Sequence, residues 1–249
     1  AQTGVKKLFG NKELEKEMAE AGFQFSSANS INIGRLVPQV VYYVYAYAKL
    51  LENEQIENGE EINVVVPTGN FGNILAAYFA KHMGVPIKTL ICASNDNKVL
   101  YDFFTTGTYD RKREFILTNS PSMDILISSN LERLIYLSTG CDAAADAALM
   151  KDLSEKGSYT VTGNMRQFMS DFRGGFATEA QNEATIRKIF EDTGYLIDTH
   201  TGVAATVYNA YKAETGDQTK TVIASTASPY KFSHSVLEAI KGKSAVEGK

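Results

Sequence analysis

The sequence predicts an α/β fold: an open, mostly parallel twisted sheet with helices on both faces. Three observations carry that expectation. Residues 63–66, 87–93 and 220–225 are short runs rich in β-branched and apolar residues, the pattern of strands buried on both faces. Longer stretches with apolar residues at helical spacing separate them. The first two runs flank a glycine-bearing turn and one such stretch, a βαβ unit that requires a parallel pair and a right-handed crossover.

In chain order, residues 11–21 form a charge-laced helical pattern that Gly22 stops. Residues 23–33 are rich in Ser and Asn and read as a loop feeding a helix over 36–48, with Pro38 in or near its first turn. That helix is uncharged between Arg35 and Lys49, yet shorter than the roughly 20 apolar residues of a membrane span. It is expected to be buried in protein. A polar turn over 57–62 leads to the first strand, which breaks at Pro67 to Asn73. Residues 74–83 are helical in pattern, Gly84 supplies a stop, and the second strand ends at Ser94-Asn95-Asp96-Asn97. Further helices are expected at about 98–105, 122–138, 141–155, 178–193, 200–213 and 233–241. No internal repeat, low-complexity tract or heptad array interrupts them.

The composition narrows the function. With 249 residues, 44% of them hydrophobic, the chain can bury a large core, which excludes disordered, collagen-like and disulfide-stapled classes. Its 25 Lys and Arg against 29 Asp and Glu leave a net charge of -4, so no basic footprint for nucleic acid exists. Cys92 and Cys141 fit neither a secreted disulfide framework nor a zinc spacing, and a reducing cytoplasm is the expected location. The opening AQTGVKKLFG has no apolar signal core and reads as a chain entered mid-protein.

The sharpest local feature is Pro67-Thr68-Gly69-Asn70-Phe71-Gly72-Asn73, between a strand and a helix. Two glycines allow close approach of backbone to a ligand, and the amides opening the next helix favour an anion. No Gly-Lys-Ser/Thr follows, which disfavours a nucleotide triphosphate. Spacing alone leaves two readings: a phosphate seat, or a tight turn with an Asn helix cap.

VVVPTGNFGNILAAYFAKHMGVPI resembles the pyridoxal-phosphate phosphate loop and following helix of threonine synthases of the bacterial and fungal subgroup. SSANSINIGRLVPQ, ICASNDNKVLYDFFTTGTY, TNSPSMDILISSNLERLIY, IDTHTGVAA and STASPYKF resemble further family segments in the expected order. The resemblance implies a fold-type II pyridoxal-phosphate lyase, converting O-phospho-L-homoserine and water to L-threonine and phosphate. It implies that Gly69, Asn70, Phe71, Gly72 and Asn73 meet the cofactor phosphate, and that Thr226 meets the pyridine nitrogen. It also implies that Ser27, Asn29, Ser30 and Arg35 hold the phosphorylated substrate, a task to which a guanidinium fork is suited. By pattern alone Arg35 reads as a helix-start residue beside a surface carboxylate, and Thr226 as a strand-end residue capping the last helix.

Other polar residues draw blander readings. Asn95 and Asn97 lie where open α/β sheets place ligands but read as turn residues bonding their own backbone. Ser120, Ser122 and Asp124 could line the same cleft, with Ser122 read as a helix N-cap. His82 and His234 read as structural, as does His200. A Schiff-base lysine is missing: Lys151-Asp152 falls on an amphipathic helix, and Lys231 has no better context. Residues 1–25 are therefore expected to end a small domain and 26–249 to form the C-terminal portion of a large cofactor domain. Such a piece is expected to lack turnover and to self-associate through an exposed apolar face. The alternative is a non-catalytic binder of a phosphate ligand or sugar phosphate.

Overall fold

The computed structural model describes residues 8–26 and 32–246. Helix α1 (Lys12–Glu20) starts at Asn11, whose side chain accepts from the amides of Glu13 and Leu14, and buries none of its residues. Helix α2 (Ile33–Leu36) runs through a 3-10 turn containing Pro38 into α3 (Val40–Glu52). There follow β1 (Ile62–Pro67), α4 (Gly72–His82), β2 (Ile87–Ser94), α5 (Val99–Thr106), β3 (Thr108–Asp110), α6 (Leu131–Ser138) and α7 (Ala143–Glu155). The chain ends with β4 (Ser158–Thr160), α8 (Gly163–Phe168), β5 (Phe172–Phe176), α9 (Glu179–Thr193), α10 (Thr199–Thr215), β6 (Thr221–Ile223) and α11 (Ser233–Lys241).

Strands β5, β2, β1 and β6 lie side by side in that order, each neighbouring pair parallel. The sheet is covered twice, as its β-branched runs predict. Val64 and Val66 join Ile74 and Leu75 of α4 in one core, while Val65 and Ile91 join Val203, Ala204 and Val207 of α10 in another. Each of the Val, Ile and Leu side chains among them contributes about 1.5–3 kcal/mol on full burial.

Strand β5 is absent from the sequence-based expectation because its FRGGF string looks like a turn. Its glycines are there for approach: a Cβ on Gly174 would lie 3.1 Å from the Tyr101 backbone, and one on Gly175 would lie 2.4 Å from Val207. Helices α5 and α10 thus press on opposite faces of the strand. The antiparallel pair β3–β4 also escaped the pattern, each strand being three residues long.

Two expected helices differ. Residues 122–138 are helical only from Leu131, preceded by a 3-10 turn at Pro121–Met123. The Asp124 carboxylate accepts from the Thr118 amide at 2.9 Å and from its hydroxyl at 2.7 Å, folding the segment back before a helix can start. The helix expected to be buried over 36–48 is buried on one face only, by Leu36, Val40, Tyr43 and Tyr47. Val41 and Tyr42, both 62% exposed, and Val37, Val44 and Tyr45 form an apolar stripe open to solvent. Among the described residues no helix is long and apolar enough to cross a membrane.

Candidate functional site

Because the four strands run the same way, their carboxyl ends at Pro67, Ser94, Phe176 and Ile223 share one edge of the sheet, where ligands bind in open α/β folds. The loop after β1 is held from beneath. Gly69 gives its carbonyl to the Ser128 hydroxyl at 2.7 Å, and Asn70 gives its own to the Asn130 amide at 3.1 Å and side chain at 2.9 Å. Phe71 sits in the left-handed region at φ 65° and buries its ring beside Phe104 and Phe172. The loop carbonyls are thereby occupied. Among the described residues, none accepts from the amides of residues 69–74, and the amino end of α4 has no side-chain cap. An uncapped 11-residue helix with unspent amides has donors to offer an anion.

Glycine at position 69 is a matter of space. A Cβ there would stand 2.4 Å from the Ser122 carbonyl oxygen, so the roof of the loop closes on it directly. The Asn helix cap that spacing allowed is not what forms, since the N-cap position belongs to Phe71. Asn73, in the first turn, accepts a hydrogen bond on its side-chain oxygen from the buried hydroxyl of Tyr43 on α3. That fixes the amide and leaves its NH2 as a donor.

Arg35, Asn73 and Thr226, expected at one site from distant parts of the chain, line one cleft of about 680 Å³. Gln39, Tyr42 and Ser225 share its walls. Thr226 is exposed three residues beyond β6 and does not cap a helix: Ser228 does, accepting from the Tyr230 amide at 3.3 Å. Arg35 is exposed on α2. Ser27, Asn29 and Ser30 lie outside the described residues.

Asn95 and Asn97 do more than close their own turn. The Asn95 side chain donates to Asp124 at 2.8 Å, Thr118 at 2.9 Å and Ser120 at 3.0 Å, while Asn97 donates to Asp124 at 3.0 Å. Asn95, Asn97 and Ser120 are buried and Thr118 and Asp124 half-buried, and together they anchor residues 116–124 over the loop. Ser122 is not an N-cap; its amide donates to Nε2 of His200 at 3.2 Å.

His200 and Asp198 form a buried pair that local pattern does not single out. Asp198 caps α10, accepting from the amides of His200 at 2.8 Å and Thr201 at 3.4 Å, and from Nδ1 of His200 at 3.0 Å. Burial works against its charge, but the hydrogen bonds from His200 and Thr201 prevail and hold the carboxyl below the usual range. The available signal was the Asp-x-His spacing at a helix start, where both side chains face inward.

The remaining candidates are peripheral. His82 is exposed beside Tyr78, and His234 lies 3.9 Å from Glu238 on α11. Lys151 is exposed on α7, 3.9 Å from Glu155, and Lys231 is exposed near the Phe232 ring. Burial pushes the Cys92 thiol up to about 12, so it packs as an inert apolar group. Among the described residues no cluster of three His, Cys, Asp or Glu could hold a metal.

Residues 201–248 match the family model described as threonine synthase, C-terminal. Threonine synthase-like 1 of Homo sapiens is 41% identical over 245 residues, covering 97% of this chain and 33% of that protein. Threonine synthase of Saccharomyces cerevisiae is 35% identical over 253 residues, covering 96% of this chain and 48% of that protein. A structure of PLP-bound threonine synthase from Brucella melitensis superposes with a TM-score of 0.83 at 38% identity, covering 97% of this chain and 49% of that one. The chain thus spans between a third and a half of the relatives it matches.

Proposed function

We propose, from the premise that the chain is homologous to the C-terminal portion of threonine synthases, that it forms one wall of a pyridoxal 5'-phosphate site. The complete enzyme would convert O-phospho-L-homoserine and water to L-threonine and phosphate. Residues 1–25 are assigned to the end of a small domain and 26–249 to the large cofactor domain. The Schiff-base lysine is assigned to polypeptide outside these 249 residues, so the chain alone is expected to bind weakly and not to turn over.

The observation that carries this reading is the single cleft onto which Arg35, Asn73 and Thr226 converge. The donor set suits the group. The unaccepted amides of residues 69–74 and the NH2 of Asn73 match a phosphate dianion, and the absence of a Cβ at Gly69 lets the Ser122 turn pack directly on the loop and fix its shape. Bound there, pyridoxal phosphate supplies an electron sink for substrate carbanions. Thr226 offers the ring nitrogen a neutral hydroxyl, which can donate to it but cannot hold a proton on it as a carboxylate would. Arg35, with Ser27, Asn29 and Ser30, is assigned to the substrate phosphate, orienting it as the leaving group by charge-assisted hydrogen bonds. Tyr43 keeps the Asn73 amide aimed, and the Thr118–Asp124 bond helps hold the turn that packs on the loop.

Titration of the chain with pyridoxal phosphate, followed by cofactor absorbance and repeated with Gly69→Val, tests the site. Saturable binding that the substitution abolishes supports it; no saturable binding, or binding indifferent to the substitution, removes it. Phosphate release from phosphohomoserine after mixing with a separately produced amino-terminal half of a threonine synthase tests the reaction. Threonine formation by the chain alone would overturn the assignment of the lysine to other polypeptide.

A further inference from the structure

We propose that His200 is a positioning residue that holds the two walls of the cofactor cleft in register, an inference that rests on loop 69–73 being the phosphate seat. It touches neither the loop nor the cleft. Its imidazole is 2% exposed and engaged at three points. Nε2 accepts the Ser122 amide at 3.2 Å, so the ring proton lies on Nδ1, which donates to Asp198 at 3.0 Å. The ring packs against Phe232 with centroids 4.8 Å apart.

Its partners lead to the two sides of the proposed site through their neighbours. Ser122 is the residue whose carbonyl oxygen stands over Gly69, so its amide is tied to His200 on one side and its carbonyl bears on the phosphate loop on the other. Phe232 ends the 3-10 turn that follows Thr226. A second strand of the same network leads there as well: Thr201, bonded to Asp198, has its hydroxyl 3.2 Å from that of Ser225, the neighbour of Thr226. Asp198 fixes the tautomer, the tautomer makes Nε2 an acceptor, and the acceptor sets the height of the 3-10 turn above Gly69. The group expected to bind phosphate and the group expected to meet the ring nitrogen are thereby spaced by one imidazole.

Two substitutions separate this role from simple packing. His200→Gln retains an acceptor at the position of Nε2 and loses the donor to Asp198; His200→Asn retains the donor at Nδ1 and loses the acceptor. Amide hydrogen exchange on the ligand-free chain reads Ser122, and also Asn130, whose amide is bonded to the Asn70 carbonyl at 3.1 Å. Expected is a rise of about tenfold or more at both amides in His200→Asn and about threefold or less in His200→Gln, with Lys156, which follows the last residue of α7, unchanged in both. Equal rises in the two variants, or none in either, overturn the proposal. Pyridoxal phosphate titration of the same proteins should show His200→Asn about tenfold weaker and His200→Gln near the parent. If the parent itself binds no pyridoxal phosphate, the cofactor reading fails while the exchange result still decides the role of His200.

Discussion

The hydroxyl of Tyr43 on α3 donates to the side-chain oxygen of Asn73 in the first turn of α4, joining a helix that enters the cleft to the helix that opens it. Tyr43→Phe removes this bond without leaving a cavity, so the cost to stability is about 1 kcal/mol. The larger effect falls on the anion, because the Asn73 amide is then free to rotate. Phosphate or pyridoxal phosphate affinity should drop several-fold while urea midpoints move little; unchanged affinity would show that the Asn73 orientation is irrelevant to binding.

At Gly69 the added methyl meets backbone, not a side chain that can swing away. Gly69→Ala should cost about 1–3 kcal/mol through displacement of the 3-10 turn. It should also weaken anion binding more than Gly22→Ala does, since a Cβ on Gly22, just past α1, meets nothing within 4 Å. Paired thermal melts and titrations check both, and an alanine at position 69 that binds like the parent would contradict the close roof.

What the sequence makes legible here follows from which interactions are local. The β1–α4–β2 unit announces itself because β-branched residues and a glycine turn declare a doubly covered strand without reference to the rest of the chain. Strand β5 does not: Gly174 and Gly175 are dictated by Tyr101 and Val207, some 73 and 32 positions away, contacts no local pattern contains. The Asn95–Asp124 network and the Ser122–His200 bond are hidden for the same reason, each half being an ordinary turn or cap until the fold brings them together. The exposed stripe on α3 misled in the opposite sense, since an uncharged run reads as buried whether or not the described residues cover it.

Three buried tyrosines set the alkaline limit of the fold. Burial raises the hydroxyls of Tyr43, Tyr109 and Tyr159 well above the ordinary phenol range, so the folded chain keeps protons that the unfolded chain releases from about pH 10. Above that pH the unfolded state binds fewer protons and stability falls, by about 1.4 kcal/mol per pH unit for each tyrosine. Below it their contribution is complete and flat. Urea unfolding between pH 9 and 12, with tyrosinate absorbance as a parallel reading, checks the sign; Tyr159→Phe should lessen the slope, and an unaltered slope would remove that residue from the account.

Asp217 contributes to stability on the acid side and ties the turn before β6 to β1. Its carboxylate accepts from the Thr219 hydroxyl at 2.6 Å and amide at 3.0 Å, from Tyr211 at 2.7 Å and from Asn63 at 3.1 Å, with Lys88 also 3.1 Å away. Led by the Thr219 bonds, these hold the carboxyl far below the usual range. A depressed folded value means stability is complete above the unfolded value near pH 3.9 and is lost as pH falls toward the folded one. Asp217→Asn should therefore lower stability at neutral pH by about 1–3 kcal/mol and make the acid limb shallower. Because Asp217 pins the turn before β6 to Asn63 on β1, the same variant should let β6 shift and weaken cofactor binding at its carboxyl end. Stability curves for parent and variant with equal slopes below pH 4 would show that the carboxylate is not what anchors that strand.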